Sequence, residues 1–274
     1  MGDSIEEKRM GNLNGLANVN IELTSRCCKS CWMCGRRKLE KSYPELTNWG
    51  DMPYEMLEEI ERQIPKGIVV QLHNNGEPLL YPRLGDALRL FAGRLRSFNT
   101  NAKLLLDRAD EIIGNLETLV ISVIQDDPEG DEQYDIVRKF VSGLHSRKPF
   151  MVYRLLGRVD HAERWGQLPG IVARRILHAP EGSRDYTRPV TVPEIGICLD
   201  LLHHLAIDRF GDVSVCVRFD PERKGVVGKL QGQTLEEIWN GPVRKYFIDC
   251  HSNGERNCLF LCSKCDFYGV PRGD

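Results

Sequence analysis

The stretch Asn18-Val-Asn-Ile-Glu-Leu-Thr-Ser-Arg-Cys-Cys-Lys-Ser-Cys-Trp-Met-Cys34 joins two signals in one segment. From Asn18 to Thr24 apolar and polar residues alternate with period two, the pattern of a half-buried strand. The strand runs straight into Cys27, Cys28, Cys31 and Cys34, so it delivers a thiol-rich loop. Downstream, Pro53 to Ile64 carries Met56, Leu57, Ile60 and Ile64 at helical spacing, with proline suited to the first turn. Ile68 to Leu72 reads as a buried strand ended by Asn74-Asn-Gly-Glu-Pro78. Leu84 to Phe91 is a helix, Ser97 to Ala102 a short strand, and Leu106 to Gly114 a helix closed by glycine. Leu119 to Ile124, Glu132 to Leu144 and Phe150 to Leu156 then read as strand, helix and strand. Such alternation predicts an α/β fold with a parallel sheet whose functional face lies at the carboxyl ends of the strands. The cysteine loop and the Asn-Gly-Glu-Pro turn both fall on that face.

Glu163 to Pro193 is broken by Pro169, Gly170, Pro180, Gly182, Pro189 and Pro193 and reads as a domain junction. The expected organisation is a polar leader over residues 1–17, an α/β domain over 18–180 and a smaller domain over 181–274. In the last of these, Leu205 to Asp208 and Val213 to Val217 flank a hairpin-like turn, Arg209-Phe-Gly-Asp212. Thr234-x-x-Glu237 is a capping box, and Gly241-Pro242 interrupts the helical region that follows it.

The 274 residues include 39 acidic and 37 basic side chains and are 41% apolar, a composition that excludes disordered and collagen-like chains. A net charge of -2 provides no field to gather nucleic acid or an anionic bilayer, so neither is expected as a partner. The longest apolar runs fall far short of the roughly 20 residues that cross a membrane. Met1 to Ala17 lacks the apolar stretch of a signal peptide, and a cytoplasmic location is expected. Cysteines in a reducing compartment are seldom disulfides, so the 10 present here call for metal ligation, catalysis or burial. They segregate into two groups: Cys27, Cys28, Cys31 and Cys34, then Cys198, Cys216, Cys250, Cys258, Cys262 and Cys265. Two metal centres in two domains follow from that segregation.

The first group permits two spacings. Cys28-x2-Cys31-x2-Cys34 resembles part of a ferredoxin loop or a zinc site, but Gly35 stands where a ferredoxin usually has proline. Cys27-x3-Cys31-x2-Cys34 supplies three thiolates to a four-iron cluster and leaves one iron open to a small molecule, as catalytic metal sites do.

The second spacing resembles the signature of the radical S-adenosylmethionine (radical SAM) superfamily, with Met33 where that family usually has an aromatic residue. Gly76-Glu77-Pro78 resembles the last three residues of the family's Gly-Gly-Glu-Pro motif, and Thr100-Asn101-Ala102 its Thr-Asn-Gly. The resemblance implies a partial (β/α)6-type barrel and a [4Fe-4S] cluster on Cys27, Cys31 and Cys34. S-adenosylmethionine would chelate the open iron, with Met33, Gly76, Glu77, Pro78, Thr100, Asn101, Ser122 and Arg154 as cofactor contacts. Arg154 in particular would fork to the methionine carboxylate. Reductive cleavage would give a 5'-deoxyadenosyl radical that removes a substrate hydrogen atom, with electrons from an external flavodoxin or ferredoxin.

Cys198-x17-Cys216, Gly228 to Gly241 with its Leu-Glu-Glu-Ile-Trp run, and Cys262-x2-Cys265 resemble the SPASM and shorter twitch extensions of that superfamily. They imply one auxiliary [4Fe-4S] cluster on Cys198, Cys216, Cys262 and Cys265, leaving Cys250 and Cys258 surplus. The layout is similar to that of the superfamily's aminocyclitol dehydrogenases, which implies a two-electron oxidation of a small hydroxylated molecule. A peptide-modifying maturase or epimerase, with Cys250 or Cys258 as hydrogen donor, is the competing enzyme reading. A noncatalytic carrier whose first cluster is closed by Cys28 is the non-enzymatic one.

Overall fold

The computed structural model describes residues 12–145, 147–175, 198–217, 220, 223–263 and 265. Six parallel strands come first: β1 (Asn18–Ile21), β2 (Val69–Gln71), β3 (Leu95–Thr100), β4 (Thr118–Ile124), β5 (Phe150–Leu156) and β6 (Ile171–Arg175). Between them lie α1 (Gly35–Ser42), α2 (Tyr54–Gln63), α3 (Leu84–Leu90), α4 (Ala109–Ile112) and α5 (Gly130–Ser142). α6 (Leu199–His203) follows, then β7 (His204–Ile207), β8 (Asp212–Ser214), β9 (Val226–Lys229), α7 (Leu235–Trp239), α8 (Pro242–Ser252) and α9 (Phe260–Ser263).

Alternation along the strands explains why this sheet encloses a lumen. On β4, Leu119, Ile121 and Val123 are at most 2% exposed, whereas Ser122 and Ile124 are half-buried. The apolar set faces outward onto the helices, where Leu57, Ile60, Leu84, Leu88, Ile112, Val137 and Phe140 meet it. Each of these buried side chains contributes about 1.5 to 3 kcal/mol of transfer free energy. The opposite face carries the buried Asn20 and the half-buried Gln71, Asn99, Ser122 and Arg154.

Several boundaries differ from expectation. β6 lies inside the expected junction: its two faces are almost wholly exposed, so no apolar period marks it. The helix expected over Leu106 to Gly114 shrinks to α4 because Leu104 to Arg108 form turns. α1 has no apolar stripe and was not anticipated. Its Arg36 is buried with the guanidinium 3.8 Å from the Trp49 ring. The leader is not polar throughout, since Leu13 and Leu16 join the core, and Trp239 Nε1 donates to the Asn14 carbonyl at 3.0 Å.

The sheet does not stop where a second domain was expected to begin. Its order is β6-β5-β4-β3-β2-β1-β7-β8-β9, with β7 parallel to β1 and the β7–β8–β9 meander antiparallel. One hydrophobic cluster runs from Leu13 to Leu259 across both halves. The expected boundary at residues 180 and 181 lies outside the described residues. The hairpin turn forms as read: Asp208 Oδ1 accepts from the N–H of Phe210 and of Asp212 at 2.9 Å each, and Gly211 takes φ +81°. The capping box of Thr234 and Glu237 is complete at the start of α7.

Candidate functional site

All ten cysteines are free thiols. The loop after β1 is clasped at its base. Ser25 N–H donates to the Gly50 carbonyl at 2.8 Å, and the Arg26 guanidinium forks to Asp51 at 3.0 and 2.7 Å. Arg36 Nη1 donates to the Ser25 carbonyl. Further along, Lys29 is buried and pairs with Asp127 at 2.7 Å and Glu129 at 3.4 Å, and Trp32 Nε1 donates to the Gln125 carbonyl at 3.0 Å. The loop is therefore tied both to the chain before α2 and to the β4–α5 connection. Cys34 caps α1 with its backbone while its thiol makes no cap hydrogen bond.

The thiols of the loop influence one another. Burial, followed by the charges of Cys34 and Cys27, pushes Cys31 up to about 11. Burial also raises Cys27 and Cys28. Thiols so arranged stay protonated near neutrality until a cation replaces the proton, which is how thiolate metal sites load.

The Asn-Gly-Glu-Pro turn is fastened to the same loop. Glu77 N–H donates to the Arg26 carbonyl at 2.8 Å, and a Cβ on Gly76 would stand 2.0 Å from the Thr24 carbonyl oxygen and 2.8 Å from that of Arg26. Only glycine permits this approach of two backbones. The Glu77 carboxylate is 2% exposed. It accepts from Thr100 Oγ1 at 2.7 Å, Asn101 N–H at 2.8 Å and Leu79 N–H at 3.2 Å. Burial raises its pKa against the pull of these donors. Glu77 thus acts as a strut between the ends of β2 and β3. Asn101 in turn reaches the cysteines, with Nδ2 3.5 Å from Cys28 Sγ and 3.8 Å from Cys27 Sγ.

At the other end of the chain, Cys198, Cys216, Cys262 and Cys265 line one cavity, walled by Leu201, Val215, Phe247 and Leu261. Arg256 donates from Nη1 to the carbonyls of Cys262 and Cys265, at 2.9 and 3.1 Å, and so shapes their loop. Burial, then the charges of Cys265 and Cys198, pushes Cys262 up to about 12. Cys250 and Cys258 are not part of that lining. Among the described residues, no three His, Cys, Asp or Glu side chains converge tightly enough to hold a lone metal ion.

Residues 198–266 match the SPASM family, an iron-sulfur cluster-binding domain. The crystal structure of BtrN in complex with AdoMet and 2-DOIA is similar at a TM-score of 0.60 and 18% identity, covering 94% of this chain and 96% of that one. Streptococcus suis SuiB bound to S-adenosylmethionine gives 0.59 at 13% identity, covering 93% and 73% respectively. SuiB bound to its precursor peptide SuiA gives 0.59 at 12% identity, covering 93% and 72%. The chain has the radical SAM fold with a SPASM extension. No curated protein sequence matches it.

In that radical SAM frame, the structure gathers Cys27, Cys31, Cys34, Gly76, Glu77, Thr100 and Asn101 at one edge of the barrel. Met33 sits half-buried in the turn before Cys34, and Pro78 is buried at the start of a short 3-10 turn. Ala102 holds φ +65°, the left-handed conformation that glycine adopts without strain. Ser122 and Arg154 are cross-strand partners on the lumen face, with Asn101 one strand before Ser122. Gln133 Nε2 fixes that row by donating to the carbonyls of Asn101 and Ser122, at 2.9 and 3.0 Å.

Sequence reading missed the polar chain across the lumen. Asn20 Nδ2 donates to the His73 carbonyl at 3.0 Å, and His204 Nε2 to Asn20 Oδ1 at 2.7 Å. His73 puts its ring among these groups, and burial together with Arg154 and His204 drives its pKa down to about 3. The signal was present as polar residues at alternate strand positions. Lys29, Asp127 and Arg256 had no signal, since their partners are defined only by the fold. No helix among the described residues is long and apolar enough to cross a membrane.

Proposed function

We propose that this protein is a radical SAM enzyme that reductively cleaves S-adenosylmethionine to take a hydrogen atom from its substrate. The observation that carries the reading is the fastening of the Gly76-Glu77 turn to the backbone of the Cys27–Cys34 loop, which puts a three-thiol site beside a fixed row of backbone polar groups. The donor sets fit the groups the fold implies. Cys27, Cys31 and Cys34 would hold one four-iron cluster, and Cys198, Cys216, Cys262 and Cys265 a second. When bound, the first cluster with S-adenosylmethionine supplies the hydrogen-abstracting adenosyl group, and the second accepts an electron.

The protein's own part is positioning and exclusion of water. The Lys29–Asp127 pair and the Arg26–Asp51 fork fix the loop, Glu77 aligns the ends of β2 and β3, and the polar lumen receives substrate. A net two-electron oxidation of a hydroxylated molecule balances as one hydrogen atom to the adenosyl carbon, one proton to solvent and one electron to the second centre. Overlap with BtrN along nearly the whole of both chains supports that reading. The likeness to peptide-bound SuiB favours peptide modification as the second.

Anaerobic reconstitution is expected to give about eight irons per chain, from two four-iron clusters. Dithionite and S-adenosylmethionine should then release 5'-deoxyadenosine. Zinc in place of iron, or iron loading with no cleavage, would overturn the assignment. Candidate hydroxylated molecules and precursor peptides, assayed for substrate-dependent acceleration of that release, separate the two readings.

A further inference from the structure

The cavity that gathers the second group of cysteines is apolar apart from those thiols and three other side chains. Among the described residues these are Asp200, His251 and Arg256. Asp200 keeps its side chain 39% exposed to water, whereas Arg256 as a residue is only 8% exposed. Arg256 is therefore the charge that this cavity holds away from solvent. It is delivered by a short 3-10 turn, Arg256–Cys258, after Gly254 has turned the chain out of α8 with φ +73°. Glu255 N–H ties the turn back to that helix by donating to the Cys250 carbonyl at 2.7 Å.

Burying a cation is costly unless its surroundings compensate it. Arg256 Nη1 donates to the carbonyls of Cys262 and Cys265, the two residues whose thiols complete the set of four. The guanidinium thus stands directly behind the Cys262-x2-Cys265 loop. Two carbonyls ask only for donors, which a neutral amide also supplies, so the positive charge calls for its own account. Burial and the charges of Cys265, Cys198 and Asp220 raise the Cys262 pKa, and the Arg256 charge acts against them. That charge is felt at a thiol of the set.

We infer that Arg256 makes the second centre an electron acceptor: from behind the Cys262–Cys265 loop, its buried charge favours the reduced state of the cluster those cysteines would hold. The inference rests on the radical SAM reading above. There the substrate, having lost a hydrogen atom to the adenosyl carbon, gives up one electron to the second centre and one proton to solvent. That electron adds negative charge to an assembly its thiolate ligands already make anionic. The net charge around an iron-sulfur cluster, its hydrogen bonds and its exposure to water set its potential. In an apolar cavity a neighbouring cation offsets the added charge with little screening. Arg256 is a positioning residue in this sense, since it acts through the ligand loop.

The test is a dye-mediated redox titration, followed by EPR, of the anaerobically reconstituted full chain with dithionite as reductant. The signal that S-adenosylmethionine leaves unchanged reports the second centre. Arg256→Gln keeps donors for the loop and removes the charge, whereas Arg256→Lys keeps the charge and loses the planar fork. Arg256→Gln should make reduction of the second centre about ten- to hundredfold less favourable, a midpoint lower by roughly 60 to 120 mV at about 59 mV per tenfold for one electron. Arg256→Lys should stay within about threefold of wild type. An unchanged midpoint in Arg256→Gln would overturn the inference. So would an equal fall in both variants, which would make hydrogen-bond geometry the cause and not charge. If Arg256→Gln loads only about four irons, Arg256→Lys decides. A loaded second centre within about threefold of wild type then supports the role of charge, and a fall of about tenfold or an unloaded centre overturns it. Release of 5'-deoxyadenosine is measured in parallel. Cleavage with an unmoved midpoint defeats the role of Arg256 alone, and a shifted midpoint without cleavage defeats the radical reading alone.

Discussion

Replacing Gly76 by alanine tests whether the turn and the cysteine loop are one unit. The added Cβ would stand 2.0 Å from the Thr24 carbonyl oxygen and 2.8 Å from that of Arg26, both backbone atoms. Carbon and oxygen settle near 3.5 Å, so the two segments must part by about 1 Å or more. That separation stretches the Glu77 N–H to Arg26 bond beyond hydrogen-bonding length, a loss of about 1 to 3 kcal/mol for a buried group. Overpacking adds a further 1 to 3 kcal/mol or so. The sum of about 2 to 6 kcal/mol corresponds to a melting point lower by roughly 5 to 25 °C for a chain of this size. A displacement of about 1 Å also costs roughly a hundredfold in a positioned reaction, so 5'-deoxyadenosine release should fall by that factor. Differential scanning calorimetry of the unloaded protein and an anaerobic cleavage assay read the two effects. Gly130→Ala is the control, because nothing lies within 4 Å of its added Cβ. A Gly76→Ala protein that melts within about 2 °C of wild type and cleaves within threefold would refute the close-approach argument.

Cys27→Ala should reduce iron from about eight to about four per chain and abolish cleavage, while Cys28→Ala should retain both, as iron analysis and the cleavage assay will show. Retained cleavage in the first variant with loss in the second would reverse the register of the loop. Cys265→Ala should lose the second iron complement yet keep slow cleavage without substrate, measured on the same preparation. Glu117 offers a pH test. Burial would raise its carboxyl, but hydrogen bonds from Arg96 and Lys148 outweigh that and hold it at about 2, against an ordinary 4.5. Its contribution is therefore complete above about pH 4.5 and drains away as the pH falls toward 2. Allowing for solvent screening, that contribution is about 2 kcal/mol, so Glu117→Gln should lower the urea midpoint at pH 7 and have little effect near pH 2.

What could be read from the sequence was local. Cys27, Cys31, Cys34 and the Gly76-Glu77-Pro78 turn declare themselves by spacing, and β4 and β5 by apolar alternation. β6 escaped notice because an exposed edge strand has no face to bury, so Ile171 to Arg175 carries no period. α1 formed without an amphipathic stripe, held instead by Arg36 against Trp49 and the Ser25 carbonyl. Contacts such as Lys29 with Asp127, or Asn20 with His204, join residues about a hundred or more positions apart and carry no local mark. The lumen was partly legible: polar alternates on β1 to β5 were visible, but which side of the sheet would face the helices is fixed only once the helices pack on it.

β1 is hydrogen-bonded on both sides, to β2 and to β7. The strand that carries the first thiol loop is thus the seam between the two portions of the molecule rather than the rim of one of them. Cutting the chain ahead of β7 would bare a row of unsatisfied amides and carbonyls along β1, an invitation to intermolecular pairing. The extension that carries the second group of cysteines is accordingly built onto the same sheet rather than appended to it. The base of the front cysteine loop therefore shares its backbone hydrogen bonds with the rear of the protein.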